Sequence, residues 1–183
     1  MPWLRPGPPP HVTGLAMIGA KAGQRVLMLG AADAGLAAAV AGVTGLNGCT
    51  LVVDPAPGAQ EAIERAAAAA GTLVEFEHSP LSPPSSSTGV FDIVVLSQTL
   101  GRSDQPPHDQ IADARRAIRE GGRIVVIERG KTRGIFAAFR GAEKTTLTGE
   151  TIRDLLTGAG FSAARVLAQV GGFIYMEASK RRG

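Results

Sequence analysis

The sequence predicts an α/β protein: a doubly wound, mostly parallel sheet that ends in an antiparallel C-terminal hairpin. Three observations predict it. Short apolar runs rich in β-branched residues ("RVLMLG", "CTLVVD", "FDIVVLS") end in turn residues, as buried parallel strands do. Helical stretches separate them, and strand–helix alternation winds helices onto both faces of a parallel sheet. After the last helical stretch the order changes. "SAARVLAQV" and "FIYMEAS" flank Gly171 and Gly172, and two strands joined by a glycine pair make a hairpin.

The elements follow in order. "RVLMLG" is the first strand. "GLAAAVAGVTGL" is an Ala-dominated helix, weakened at its end by Gly42 and Gly45. "CTLVVD" is the second strand, and "GAQEAIERAAAAAG" is a helix closed by Gly71. "TLVEFE" is the third strand. The prolines and serines of "HSPLSPPSSSTG" make a loop. "FDIVVLS" is the fourth strand, "PPHDQIADARRAIREGG" a helix ended by glycines, and "RIVVIE" the fifth strand. "RGKTRGIFAAFRGAEKTT" is irregular or a short helix. "TGETIRDLLTGAGF" is a helix with Thr148 as its N-cap and Gly158 or Gly160 near its stop.

The composition bounds the rest. With 183 residues, 44% hydrophobic and 19% charged, the chain suits one domain with a full core. Aromatics are only 4%, so the core is aliphatic. The single cysteine, Cys49, excludes an internal disulfide and a cysteine-based zinc cluster. His11, His78 and His108 have no metal-ligand spacing, and no metal is expected. The start "MPWLRPGPPP" lacks the apolar core of a signal peptide. Residues 1–12 are expected to be a flexible segment and residues 13–183 one domain. No stretch reaches the ~18 apolar residues of a membrane span, so a soluble, cytoplasmic protein is expected. A net charge of +3 suits a solvated surface better than a nucleic-acid interface.

Ligands of doubly wound sheets lie at the carboxyl ends of the strands. There "VLMLGAADAG", Val26 to Gly35, turns from the first strand into a helix. A side chain at Gly30 would obstruct a ligand approaching the backbone. The N-terminal N–H groups of the helix suit a carboxylate or phosphate. Asp54 ends the second strand, where a carboxylate accepts both hydroxyls of an adenosine ribose or, alternatively, braces the turn at Pro55 and Pro57.

At this point the chain resembles the class I S-adenosylmethionine-dependent methyltransferases. It is most similar to the small-molecule group around the ubiquinone/menaquinone C-methyltransferases. Five stretches carry the resemblance in order: "VLMLGAADAG", "LVVDPAP", "VFDIVVLSQTL", "AIREGGRIVVIERG" and "LTGETIRDLLTGAGF". It implies the methyltransferase variant of a Rossmann-like fold, S-adenosylmethionine as cofactor and methyl transfer to a small molecule. It implies cofactor contacts at Gly30, Ala31, Ala32, Asp33, Asp54, Pro55, Ser79, Pro80, Ser97 and Gln98, and assigns no catalytic residue.

The first motif departs from the family pattern acidic-x-Gly-x-Gly-x-Gly. Met28 holds the acidic position, and Ala32 and Ala34 replace two glycines. Either the alanines are forced to positive φ, at about 1–2 kcal/mol each, or the loop keeps an ordinary conformation. Asp33 either replaces the missing carboxylate or caps the next helix. No carboxylate stands near Ser79 and Pro80, where the family often has one by the adenine.

Two other readings stand. Gly30, Ala32 and Gly35 fit the G-x-A-x-x-G variant of an NAD(P) fingerprint, with Asp54 at a suitable distance. Against this stand the terminal hairpin and the lack of a Tyr-x-x-x-Lys pair. The chain also fits a binding or scaffold protein that kept the fold and lost the chemistry.

For the acceptor, "LSQTLG" stands where enzymes acting on nucleobase amines carry an Asn/Asp-Pro-Pro-aromatic run, which argues against that substrate class. Arg129, Lys131, Arg133 and Arg140 would attract an acidic small molecule. "GIFAAF" is an apolar wall or a packing helix. Glu128 points into the cleft or pairs with an arginine. His78, His108 and Trp3 are surface residues or cleft residues.

Overall fold

The computed structural model describes residues 10–102, 104–130 and 147–183. Trp3, Lys131, Arg133, Arg140 and "GIFAAF" lie outside them. Among the described residues the strands are β1 (Arg25–Leu29), β2 (Cys49–Val53), β3 (Glu75–Glu77), β4 (Phe91–Ser97), β5 (Ile118–Arg129), β6 (Ser162–Val170) and β7 (Phe173–Ser179). The helices are α1 (Pro10–Ile18), α2 (Ala34–Thr44), α3 (Ala59–Ala70), α4 (Pro107–Ala117) and α5 (Gly149–Gly158).

The seven strands form one sheet in the order β3-β2-β1-β4-β5-β7-β6. Strands β1 to β5 pair in parallel, and β7 is antiparallel to both β5 and β6. The expected hairpin is present. Gly171 and Gly172 take φ of 62° and 79°, the backbone a tight primed turn needs. Winding out from β1 to β3 and back through β4 places a crevice at the carboxyl ends of β1 and β4.

Alternation along each strand divides the core between the two faces. Leu27, Leu29, Val94, Leu96 and Val126 pack with Ile111 and Ala114 of α4 and Ile152 and Leu156 of α5. Val26, Met28, Val52, Ile93 and Val95 pack with Ile18 of α1, Leu36 and Val40 of α2 and Ile63 of α3. Both faces are covered, which is why the central strands read as unbroken apolar runs. The helix ends follow local chemistry. Thr148 accepts from Thr151 N at the start of α5, and Gly71 closes α3 at φ 64°.

Three boundaries differ from expectation. Helix α1 begins at Pro10, so residues 10–12 belong to it; no helix was expected there. It packs on α2, and Arg123 Nη2 of β5 donates to the carbonyls of Ile18 and Gly19 at its end. The helix expected to run to Gly122 stops at Ala117. Ile118 is buried opposite Phe91 and opens β5 instead. β3 keeps only three of its six expected residues, as suits a short edge strand.

Gly30 fixes how closely β1 and β4 approach at the carboxyl edge. Its φ is +94°, and a Cβ there would lie 2.4 Å from the Ser97 carbonyl oxygen and 2.8 Å from Thr99 Cγ2. Its absent side chain thus makes room for β4 and the chain beyond it, rather than for a ligand alone. Gly30→Ala is expected to lower the unfolding free energy by roughly 2–4 kcal/mol, from positive-φ strain plus overpacking. Urea unfolding measures this, and a loss under half a kcal/mol would refute the account.

Candidate functional site

The carboxyl edge is organised around Asp54, whose side chain is 2% exposed. Its Oδ2 accepts from Ala31 N at 2.7 Å, and its Oδ1 accepts from Ala56 N at 2.7 Å. Asp54 therefore ties the β1–α2 turn to the β2–α3 turn. The bond to Ala56 is the turn-bracing role, and the bond to Ala31 adds the neighbouring loop. Arg102 Nη2 adds an ion pair at 3.1 Å from Oδ2. Nothing in sequence had marked Arg102, which follows β4 across the crevice.

The alanines of the first motif carry no backbone strain. Among the described non-glycine residues only Gln98 and Ala163 take positive φ. Asp33 is the N-cap of α2, accepting from Leu36 N at 2.9 Å. Met28 does not face the crevice. It is enclosed by the apolar cluster of Ile18, Leu36, Val40 and Val95. An acid at this position would therefore not reach a ligand with the backbone arranged in this way.

Ala32, Asp33, Ser97 and Gln98 come together as lining of one cavity of about 340 Å³. Gly14 of α1, Arg129, Phe173 and Tyr175 also line it. Gly30, Ala31, Asp54 and Pro55 do not line it; they lie at the ends of β1 and β2, joined to its wall through Ala31, which precedes Ala32 and donates to Asp54. Ser79 and Pro80 follow β3 on the same edge but do not line the cavity, and Ser79 Oγ donates to Glu77 Oε1 at 2.9 Å.

Gln98 is held at φ 55°. Its N–H donates to Ile127 O at 2.8 Å, and its Oε1 accepts from Arg129 Nε at 3.0 Å. The Arg129 guanidinium lies 5.3 Å from the centre of the Phe173 ring, within cation–π range. These contacts fix a cation at the cavity. Burial raises the pKa of the Tyr175 hydroxyl, and the Asp33 charge adds to the effect.

Glu128 neither faces the cleft freely nor, among the described residues, forms a salt bridge with an arginine. It is buried, and Oε1 accepts from Leu100 N at 2.9 Å, holding the loop after β4. Burial pushes its carboxyl above the usual carboxylate range, against the backbone donors and the nearby Arg102 charge. His108 lies exposed on α4, 3.2 Å from Asp109, and His78 is exposed after β3. Neither lines the cavity.

A second cavity, of about 300 Å³, lies at the opposite edge between Ala41, Cys49, Thr72 and Glu75. It faces the amino ends of β2 and β3, away from the edge where such sheets bind ligands. Among the described residues no helix is long and apolar enough to cross a membrane.

The fold is shared with known structures. A S-adenosylmethionine-dependent methyltransferase from Aquifex aeolicus superposes with a TM-score of 0.75 at 17% identity, covering 93% of this chain and 89% of that one. A putative methyltransferase from Bacillus halodurans gives 0.74 at 12% identity, covering 94% and 99%. The [4+2]-cyclase SpnF gives 0.73 at 16% identity, covering 94% and 81%. No protein-family model and no curated protein sequence matches the chain. The chain has the class I methyltransferase fold: a mostly parallel Rossmann-like sheet with an antiparallel terminal hairpin. The cyclase carries the same fold, so the fold does not decide the reaction.

Two outcomes follow. Met28→Asp is expected to destabilise the protein by several kcal/mol, because it buries an unpaired carboxylate. A thermal melt within a degree of wild type would contradict this placement. For Glu128, the folded protein holds a proton between the usual carboxylate range and the raised value, while the unfolded chain does not. Stability therefore falls as pH rises through that window. Glu128→Gln should flatten that part of the curve in urea unfolding at stepped pH; an unchanged slope would exclude Glu128 as its source.

Proposed function

We propose that the protein binds S-adenosylmethionine at the carboxyl edge and transfers its methyl group to a small-molecule acceptor. The observation that carries this is the position of Asp54: a buried carboxylate at the end of β2, bonded through Ala31 to the β1–α2 turn whose Ala32 and Asp33 line the cavity.

The residues present fit the cofactor. The Asp54 carboxylate would accept from the ribose hydroxyls, beside Gly30, Ala31 and Pro55. Ser79 and Pro80 would flank the adenine. Ala32, Asp33, Ser97 and Gln98 would face the methionine end, with Arg129 offering its guanidinium to the carboxylate. Bound S-adenosylmethionine supplies an electrophilic methyl group on a sulfonium. The chain's contribution is alignment of the acceptor and exclusion of water. Tyr175, with its proton held firmly by burial, donates or accepts a hydrogen bond and does not serve as a base at neutral pH. No side chain is assigned as catalytic base.

The acceptor is proposed to be small and acidic, in keeping with Arg129 at the cavity. The enzymes of the ubiquinone/menaquinone C-methyltransferase group remain the subgroup it resembles in sequence. The NAD(P) reading is disfavoured, because the antiparallel β7 lies beside β5 where a dinucleotide sheet continues in parallel.

One observation favours a second reading. Part of the Asp54 acceptor capacity is already used within the chain, as suits a non-catalytic binding or scaffold protein. Calorimetric titration with S-adenosylhomocysteine, S-adenosylmethionine and NADH separates these readings. S-adenosylhomocysteine is expected to bind and NADH not to bind. No heat at millimolar S-adenosylhomocysteine would leave the scaffold reading. Asp54→Ala is expected to lower affinity at least about tenfold, and also to destabilise the fold by about 1–3 kcal/mol by stranding backbone donors. Unchanged affinity in the folded variant would remove Asp54 from the ligand site.

A further inference from the structure

We propose, resting on the reading that Asp54 takes the ribose hydroxyls, that Arg102 is a built-in competitor for that carboxylate and must swing away before the nucleoside is fully bound. A carboxylate offers about four acceptor directions. In Asp54, Ala56 N takes one on Oδ1, and Ala31 N takes one on Oδ2. Both donors are backbone groups of turns that shape the crevice. A ribose diol needs the two directions that remain, and Arg102 Nη2 occupies one of them at 3.1 Å.

The two partners differ in their freedom. The Asp54 side chain is 2% exposed, whereas that of Arg102 is 41% exposed. Asp54 is held by two turns. Arg102 is anchored by its backbone N–H, which donates to Thr99 O at 3.0 Å, while its guanidinium borders solvent. Opening the pair therefore moves the arginine and leaves the carboxylate in place. The charge balance agrees. A buried carboxylate is costly without a compensating partner, so the guanidinium stabilises the ligand-free protein. Two ribose hydroxyls supply hydrogen bonds in its place, and ligand affinity is lowered by the cost of parting the ion pair.

The arginine thus acts in opposite directions on the two states, which a merely structural residue would not. The test compares wild type with Arg102→Met, using urea unfolding without ligand and calorimetric titration with S-adenosylhomocysteine. The variant is expected to unfold at lower urea when ligand-free, yet to bind S-adenosylhomocysteine more tightly, by about three- to tenfold on the scale of charge-assisted contacts. Equal or weaker binding by a folded Arg102→Met would overturn the competition and leave the cofactor reading intact; weaker binding would make Arg102 a ligand contact. No binding by either protein would remove the cofactor reading, and the competition with it.

Discussion

The buried carboxylate of Asp54 is the constraint on which the carboxyl edge depends. Two turns from different crossovers end within hydrogen-bond reach of it, so neither is free to adopt its own geometry. The Ala31 bond sets where the β1–α2 turn leaves the sheet. The Ala56 bond sets the direction of the chain towards α3. The carboxylate is bound to its own chain by two backbone donors. The same group therefore serves the fold and forms the strongest candidate for recognising a ribose.

A second constraint is the near contact of β1 and β4. Only Gly30 needs to be glycine within the first turn, because it alone faces the Ser97 carbonyl at close range. Ala32 and Ala34 lie at ordinary φ, and alanine meets no penalty there. Strain is found on the opposite side of the crevice, at Gln98, whose left-handed backbone is held by Ile127 and whose amide is held by Arg129. Strain of this kind persists where surrounding contacts over-determine it, and it concentrates at ligand sites.

The fold was legible because its signals are periodic and local. Apolar runs, glycine stops and the Gly171–Gly172 turn each report their own element. Helix α1 was not legible. "PHVTGLAMI" mixes proline, β-branched residues and glycine, and it is helical because α2 and Arg123 hold it. Ile118 was misplaced for a similar reason: its partner Phe91 is distant in sequence. Ala32, Asp33, Ser97 and Gln98 were named from motif position and do meet in one cavity. Arg102 was missed, because an arginine in a loop has no periodicity and gains its meaning from carboxylates distant in sequence, Asp54 above all. The direction of Met28 was not legible either, because a motif position gives no side-chain direction, and here the strand turns it into the core.

The strand order has a consequence for how the chain reaches its native state. β7 lies inside the sheet, between β5 and β6, although it is the last strand in sequence. Until it arrives, β5 presents an open edge along Ile124, Val125, Val126 and Ile127, a run of the type that pairs indiscriminately with other chains. The sheet cannot close this edge from its N-terminal half alone. It must wait for residues 162–179, and the hairpin turn that delivers them thereby governs how long the unfinished protein remains prone to aggregation.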